Sequence, residues 1–427
     1  MTVSFKTFGC RLNRAETAQF EADFAAAGFL RVPFDAPADI AVLHTCAVTQ
    51  TAENECLKLL RSLRVKKPDT VLVLAGCAVE VVTPGTLRAL GADLIVPRDQ
   101  KGELVSIVQR HLGLHPGSRP AVPARSTKRA SLKIQDGCDF FCSYCIVPHT
   151  RGQPYSRPFD ACIRDAQAFI DAGYEEIVVT GCNIACYRDG THDLVGLLSA
   201  LAALPGLGRL RLGSIEPGTV ERDVAALMAA DPVFCQFLHL PIQSGDDAVL
   251  ARMGRRYKAE EIAGTLRDAL RLMPLLGLGA DIITGFPGES EEAFGNTRAL
   301  IDMFPFGNLH VFPYSERPGT PAATFAPAVP EPERKRRAAE LLRLKERKRA
   351  AFAQAFIGRP VRVLVEKLDP AGYAQGWTGE YLGCRISGVP ATQISKLITC
   401  VPYQAESGML TARLPRTESA RQPRNCT

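Results

Sequence analysis

The sequence predicts a three-part α/β protein: an open parallel-sheet domain, a partial (β/α)6 barrel, and a small C-terminal β-barrel. Three observations carry this. Short apolar runs alternate with helical patterns from the N-terminus to about residue 320, as they do in parallel α/β sheets. A Pro-rich stretch, H-P-G-S-R-P-A-V-P-A-R at 115–125, cuts that series in two. Beyond about residue 356 the texture changes to short strands punctuated by glycine.

In the first part, residues 1–114, V-S-F-K-T-F, I-A-V-L-H and V-L-V-L-A read as buried strands. Helical patterns follow near Arg14–Ala27, Val48–Arg64 and Gly102–His111. A linker is placed at 115–130. The second part, 131–350, holds six expected strands: Ser131–Gln135, Glu176–Thr180, Arg209–Ser214, Gln236–Leu240, Ala280–Thr284 and Leu309–Pro313. Helices such as Asp160–Ala172, Leu194–Leu204, Ala259–Leu272 and Ser290–Met303 separate them. Six βα units are too few to close an eight-stranded barrel, so one side stays open, and chemistry is expected at the carboxyl ends of the strands. A long basic helix, about Glu333–Phe356, leads to the third part, 357–416, where R-V-L-V-E, G-Y-A-Q-G-W-T, Y-L-G-C-R-I-S and G-M-L-T-A-R-L suggest a small β-barrel. The tail carrying Arg413, Arg416, Arg421 and Arg424 is expected to fray.

Composition narrows the class. The chain has 427 residues, enough for about three domains. It has no charged-then-apolar leader and no run near the ~20 apolar residues of a membrane span, so a cytoplasmic protein without a membrane partner is expected. Its 14 cysteines then point to metal or redox chemistry rather than disulfides. The net charge of +6 is unevenly spread. Five basic and no acidic residues lie between Arg119 and Lys133, and nine Lys/Arg against four Glu between Glu331 and Arg349. With a small β-module, this favours nucleic acid as partner; a linker and a solvated helix face are the plain alternatives.

Six cysteines fall into two trios. Cys138, Cys142 and Cys145 form C-D-F-F-C-S-Y-C just after an expected strand, on the loop at the barrel mouth. Cys10, Cys46 and Cys77, in F-G-C, H-T-C and A-G-C, each follow a strand of the first part. Parallel strands would bring those three to one sheet edge, where open α/β sheets bind ligands. A fully protein-held [4Fe–4S] cluster takes four thiolates; three leave one iron open, so two trios imply two clusters poised for catalysis. Phe140 and Phe141 are placed to shield the loop. The competing reading is a structural zinc with His149 as fourth ligand, which leaves Tyr144 without a role.

C-D-F-F-C-S-Y-C resembles the radical S-adenosylmethionine signature. F-G-C-R-L-N-R-A-E, H-T-C-A-V-T-Q-T-A, A-G-C-A-V-E, I-V-P-H-T-R-G, L-H-L-P-I-Q-S-G, R-M-G-R-R-Y, I-I-T-G-F-P-G-E and H-V-F-P-Y-S-E-R-P-G-T-P are similar to blocks of the methylthiotransferases within that superfamily, in the same order over nearly the whole chain. The resemblance implies a radical-SAM barrel, a TRAM-like RNA-binding module, S-adenosylmethionine and two [4Fe–4S] clusters. It implies that Cys138, Cys142 and Cys145 hold the radical-generating cluster, that Cys10, Cys46 and Cys77 hold an auxiliary cluster carrying the sulfur to be transferred, and that Tyr144 lies against the adenine. No catalytic residue beyond the cluster ligands is implied. The N-terminal blocks look most like the branch acting on N6-threonylcarbamoyladenosine in tRNA; sister activities act on isopentenyladenosine in tRNA or on a ribosomal protein. The implied partners are tRNA, a flavodoxin- or ferredoxin-like reductant, and a sulfur donor that the sequence does not name. A rival of another class is a non-catalytic RNA-binding iron–sulfur redox sensor.

Polar residues at strand ends are the cofactor-binding candidates: Gly181 and Asn183, Ser214 and Glu216, Gln243 and Ser244. A turn or cap role accounts for each equally well. Gly285, Gly288 and Glu289 would allow close approach of an adenosine, and Arg252, Arg255 and Arg256 would meet phosphate or carboxylate. Cys182 and Cys186 depart from the family pattern and fall near the expected cofactor. Lys58, Arg61 and Arg64 share one helical face suited to an RNA backbone, and Tyr373, Trp377 and Tyr381 are candidates for base stacking or for barrel core.

Overall fold

A computed structural model of the chain describes residues 1–114, 128–219 and 221–415. All but the last three residues of the expected linker lie outside these residues, as do Arg416, Arg421 and Arg424 of the tail; Arg413 closes the last strand.

The N-terminal sheet is parallel throughout, in the order β2-β1-β3-β4-β5. Its strands are β1 (Thr2–Thr7), β2 (Leu30–Arg31), β3 (Ile40–Thr45), β4 (Val71–Gly76) and β5 (Leu94–Val96). Helices α1 (Arg11–Ala26) and α4 (Leu104–His111) cover one face; α2 (Gln50–Lys66) and α3 (Pro84–Ala89) cover the other. Every residue of β3 is buried, which is why it reads as a continuous apolar run and not an alternating one. The edge strands β2 and β5 are two and three residues long, too short to leave a periodic signal.

The central part has six parallel strands: β6 (Ala130–Lys133), β9 (Glu176–Thr180), β12 (Arg209–Leu212), β13 (Phe237–Gln243), β14 (Gly277–Thr284) and β15 (Phe306–Pro313). They run β6-β9-β12 and β13-β14-β15, and the single bridges Leu210↔Phe234 and Ser214↔His239 join the two halves. The antiparallel ribbon β7 (Gln135–Asp136) with β8 (Tyr155–Ser156) brackets the cysteine loop and its helix α5 (Val147–Arg151), and a small hairpin pairs β10 (Arg188–Asp189) with β11 (His192–Asp193). Helices α6 (Phe159–Asp171), α7 (Leu194–Ala202), α8 (Glu221–Ala230), α9 (Asp247–Met253), α10 (Ala259–Leu272) and α11 (Glu291–Met303) follow the strands. Alternate strand residues, among them Leu132, Val179, Leu210, Leu240, Ile282 and Leu309, build the main core. The other set carries Arg209, Arg211, His239, Asp281 and His310, so the concave lumen of the open barrel is polar.

Helix α12 (Glu331–Gln354) crosses to a closed barrel of β16 (Val361–Leu368), β17 (Ala374–Thr378), β18 (Gly383–Ser387), β19 (Leu397–Glu406) and β20 (Met409–Arg413), ordered β16-β17-β18-β20-β19. The helix is less free to meet a partner than its composition suggests. Arg336 pairs with Glu291, Glu333 and Glu340, and the buried Arg337 pairs with Glu289 and Glu333.

Two expectations about the surface need correction. Arg64 does not share a free face with the exposed Lys58 and Arg61: it donates to Gly91 O (2.8 Å) and Pro68 O (2.6 Å) and pairs with Asp93. Tyr381 is wedged at the junction of the three parts, with Arg211 4.3 Å from its ring centre, while Arg11 donates to its hydroxyl (3.1 Å). Trp377 packs against Tyr381 at 5.5 Å, and Tyr373 lies under Arg385 at 4.6 Å. Tyr381 is therefore a joint and not a stacking platform.

Candidate functional site

Because β1, β3 and β4 are neighbours, the loops after them share one sheet edge. Cys46 and Cys77 directly follow β3 and β4, and Cys10 caps α1. The glycine before two of these cysteines has a local cause. A Cβ on Gly9 (φ +85°) would stand 2.5 Å from Cys46 Sγ, and one on Gly76 (φ +104°) would stand 2.5 Å from Thr45 O. Asn13 ties the loops together, its Nδ2 donating to Phe8 O (2.9 Å) and Thr45 O (3.0 Å). Burial pushes the Cys46 thiol up to about 11, and the Cys77 and Cys10 thiols add to the rise. Three adjacent thiols are suited to a shared cation, which supplies the charge that stabilises the thiolates. Cys56, buried on α2, lies against the backbone of Cys46.

The second trio sits on the loop between β7 and β8. Gly137 (φ +71°) makes the turn into Cys138, where a Cβ would stand 2.0 Å from Gln153 O. Burial raises the thiols of Cys138 and Cys145, the latter to about 12, with the Cys142 thiol adding to both. Arg255 Nη1 donates to Cys142 Sγ (3.2 Å) and to Tyr144 Oη (3.3 Å), and its other nitrogens reach Tyr257 Oη (2.8 Å), Pro241 O (3.1 Å) and the carboxylate of Glu216. Arg255 thus joins Cys142, Tyr144 and Glu216. The shielding expected of the aromatic pair is not observed: Phe141 is 55% exposed, and Phe140 stacks on Arg256 (4.2 Å).

Neither trio is gathered as a tetrahedral zinc would hold it. Thiolates on tetrahedral zinc, with Zn–S of about 2.3 Å, lie about 3.8 Å apart. Among the described residues, neither trio has its sulfurs all within 4.8 Å of one another. A cubane, which takes each thiolate on a different iron, suits the wider spacing. His149 is exposed and packs on Phe141.

The remaining candidates divide. Asn183 is buried, and its Oδ1 has no hydrogen-bond partner although its backbone N–H donates to Gln135; such an orphan acceptor is unusual and suits a ligand donor. Gly181 lies close to Gln135, where a Cβ would meet its carbonyl oxygen at 2.9 Å. Gln243 is buried at the end of β13 with φ +69°. Ser214 is exposed beyond β12, bridged to His239.

Ser244 and the Gly285–Glu289 turn are structural instead. Ser244 Oγ pairs with Thr297 Oγ1 (3.2 Å) and accepts from the Asp246 N–H (3.2 Å). Glu289 accepts from the Gly285 N–H (2.5 Å) and pairs with Arg337 (2.7 Å). The two glycines make room for arginines: a Cβ would stand 2.3 Å from Arg334 Cγ at Gly285 and 3.0 Å from Arg252 Nε at Gly288. Arg252 is itself tied to Pro287 O (3.3 Å) and Ala326 O (3.0 Å). Of the three arginines, only Arg255 reaches the cysteine trio. Cys182 Sγ lies 3.3 Å from Asp136 Oδ1. Burial raises Cys186 to about 11, with Cys138 and Glu216 adding, so it sits beside the second trio.

A buried charge network, not anticipated from the sequence, joins the two trios. Arg151 of α5 donates to Asn13 Oδ1 (2.5 Å), to Glu16 (3.1 and 3.2 Å) and to Asp136 (2.9 Å). Lys101, Lys133 and His44 also contact Glu16. Burial alone would raise Glu16, but His44, Arg151, Lys101 and Lys133 outweigh it and hold the carboxyl far below the usual range. At the other rim, Arg317 beyond β15 donates to Gln50 Oε1 (3.0 Å) and pairs with Glu53. The N-terminal part therefore reaches both β6 and the segment after β15, across the open side of the barrel.

Comparison with known proteins agrees with this arrangement. Residues 132–301 match the radical SAM superfamily, and residues 2–96 match a family described as uncharacterized protein family UPF0004. The chain is 34% identical over 403 residues to the threonylcarbamoyladenosine tRNA methylthiotransferase MtaB of Bacillus subtilis, covering 89% of each chain. It is 33% identical over 381 residues to a tRNA-2-methylthio-N(6)-dimethylallyladenosine synthase of Cereibacter sphaeroides, covering 85% of this chain and 86% of the relative. Among solved structures, the radical S-adenosylmethionine methyltransferase TsrM of Kitasatospora setae shares the fold, with a TM-score of 0.55 at 14% identity over 75% of each chain. The chain belongs to the radical S-adenosylmethionine methylthiotransferase family.

Proposed function

We propose that this protein methylthiolates C2 of N6-threonylcarbamoyladenosine in tRNA, next to the anticodon. The observation that carries this is the match to MtaB along 89% of the chain. Residues 1–114 form the methylthiotransferase part, 131–350 the radical SAM part and 357–416 a TRAM-like RNA-binding part. Cys138, Cys142 and Cys145 would hold one [4Fe–4S] cluster, and Cys10, Cys46 and Cys77 a second. With S-adenosylmethionine, these groups supply a 5′-deoxyadenosyl radical and the sulfur and methyl that are transferred.

The chain's own residues bind and position. Arg255 sets a fixed positive charge against Cys142, Tyr144 and Glu216. Asn183 offers a buried acceptor for a donor of the cofactor. Arg151 and Arg317 hold the N-terminal part over the open side, limiting access of water. The exposed Lys58 and Arg61, and a groove of about 540 Å³ between α11 and α12 lined by Arg298, Arg343 and Arg347 with Asp302 and Glu340, suit a polyanion. Among the described residues, no helix is long and apolar enough to cross a membrane. A cytoplasmic setting, a flavodoxin- or ferredoxin-like reductant and a separate sulfur donor complete the reading.

The Cereibacter relative favours isopentenyladenosine (dimethylallyladenosine) as a second substrate reading. Mass spectrometry of tRNA nucleosides from cells lacking the gene, with and without its restoration, separates the two. Loss and return of methylthio-threonylcarbamoyladenosine is expected. Change only in methylthio-isopentenyladenosine moves the substrate, and no change in either overturns the tRNA assignment.

A further inference from the structure

Three residues in the barrel lumen take no part in the scheme above. His239, Asp281 and His310 stand on the adjacent strands β13, β14 and β15, with Asp281 paired in register to His310. His239 Nε2 and His310 Nδ1 both lie 3.0 Å from the same oxygen, Oδ1 of Asp281. Among the described residues, these are the one group of three His, Cys, Asp or Glu side chains whose ligand atoms all lie within 4.8 Å of one another.

The geometry points to a divalent transition-metal site in the lumen, with His239 Nε2, His310 Nδ1 and one oxygen of Asp281 as its protein ligands. Both nitrogen–oxygen separations suit a shared ion: two ligands each about 2.1 Å from a metal are about 3.0 Å apart at right angles and about 3.4 Å apart at the tetrahedral angle. The local sequence makes room for it. A Cβ on Gly279, the register partner of His239, would stand 2.5 Å from His239 Nδ1, so glycine there lets the imidazole lie across β14 toward Asp281. His239 is buried while His310 is half exposed, which gives a fixed inner ligand and an entry path.

Two imidazoles and one carboxylate select a first-row transition ion such as Zn²⁺, Fe²⁺ or Co²⁺ over Mg²⁺ or Ca²⁺. Three protein ligands leave positions open to water on the lumen side. The site is separate from both cysteine trios. It lies three to four residues before the ends of its strands, or roughly 10 Å below the rim at about 3.3 Å per residue.

Zinc is the probe. The anaerobically reconstituted holoprotein is incubated with zinc chloride, passed through gel filtration, and assayed for zinc, iron and sulfide. One zinc per chain is expected in addition to unchanged cluster iron, with binding at least tenfold weaker in H310A and D281N at the same iron and sulfide content. No retained zinc in the parent protein, or equal binding by H310A, overturns the site. If the variants lose cluster iron, anomalous scattering at the zinc edge from crystals of the parent protein decides: a peak between the three side chains supports the site, and its absence overturns it.

Discussion

Arg151 Nη2 donates to Asn13 Oδ1 at 2.5 Å, and this hydrogen bond connects the two cysteine-bearing parts of the chain. Asn13 holds the loops of Cys10 and Cys46 together, while Arg151 closes the helix that follows Cys145. Replacing Arg151 by Met removes a guanidinium from the buried carboxylate of Glu16. Breaking a buried pair by removing one partner costs about 3–5 kcal/mol. R151M is expected to lower thermal stability and to abolish methylthiolation while 5′-deoxyadenosine formation persists. Chromatography of both products after single-turnover reduction checks this; parallel loss of both would argue against a role in joining the parts.

Assignment of two clusters predicts about eight iron atoms per chain, if each is a cubane. Replacing Cys10, Cys46 and Cys77 together by Ala should leave about four, as should replacing Cys138, Cys142 and Cys145. Only the first variant should still cleave S-adenosylmethionine. Iron and sulfide analysis with an assay for 5′-deoxyadenosine tests each half. An undiminished iron content in either variant would refute the ligand assignment.

Arg255 is expected to tune the second trio. An N–H donor and a positive charge against Cys142 stabilise the more negative, reduced state of a cluster held there, so removing them lowers its potential. R255M should shift the midpoint negative by on the order of 50 mV, about one decade for a one-electron couple. Redox titration followed by electron paramagnetic resonance reads this directly, and an unchanged or raised midpoint would count against the role of Arg255.

The two trios are legible in the sequence because thiol chemistry restricts the residue type and the strands restrict the position. The network of Asn13, Glu16, Asp136 and Arg151 leaves no such mark. Its members lie on separate elements, and ordinary surface helices carry the same residues. Ser244 and Glu289 mislead for the converse reason: strand ends need hydrogen-bonding side chains for turns as well as for ligands. Arg64 fits a basic helical stripe in sequence, yet its guanidinium fastens α2 to the loop before β5, an attachment that only tertiary structure reveals.

Acid should loosen the docking of the C-terminal barrel. Glu176 is fully buried and binds Arg209, Arg211 and Arg129. Burial would raise its pKa, but these arginines outweigh burial and lower it from 4.5 to about 2. A depressed carboxyl contributes stability above its unfolded pKa and loses it as pH falls through the folded value. The contribution, roughly 3 kcal/mol at neutral pH, should fade between about pH 4.5 and 2. Arg209 and Arg211 also donate to the carbonyls of Arg362, Trp377, Thr378 and Gly379, so the C-terminal barrel should loosen with them. Hydrogen exchange at about pH 5 and about pH 3, on either side of most of that window, is expected to show increased exchange in β16 and β17 at the lower pH, and E176Q should flatten the difference.

The exposed Lys58 and Arg61 give the clearest test of tRNA binding. Each phosphate that such a side chain neutralises adds about one to the slope of log affinity against log salt. K58Q combined with R61Q should therefore weaken tRNA binding at low salt and reduce the slope by about two. Melting temperature should stay unchanged, because both side chains extend from the exposed face of α2. R64Q should behave differently, since Arg64 is bound to Gly91, Pro68 and Asp93. It should lower the melting temperature with little change in slope. Filter binding across a salt series, beside thermal melts of the same proteins, distinguishes the two. A slope unchanged in the double variant would move the RNA path away from α2 and toward the groove at Arg343 and Arg347.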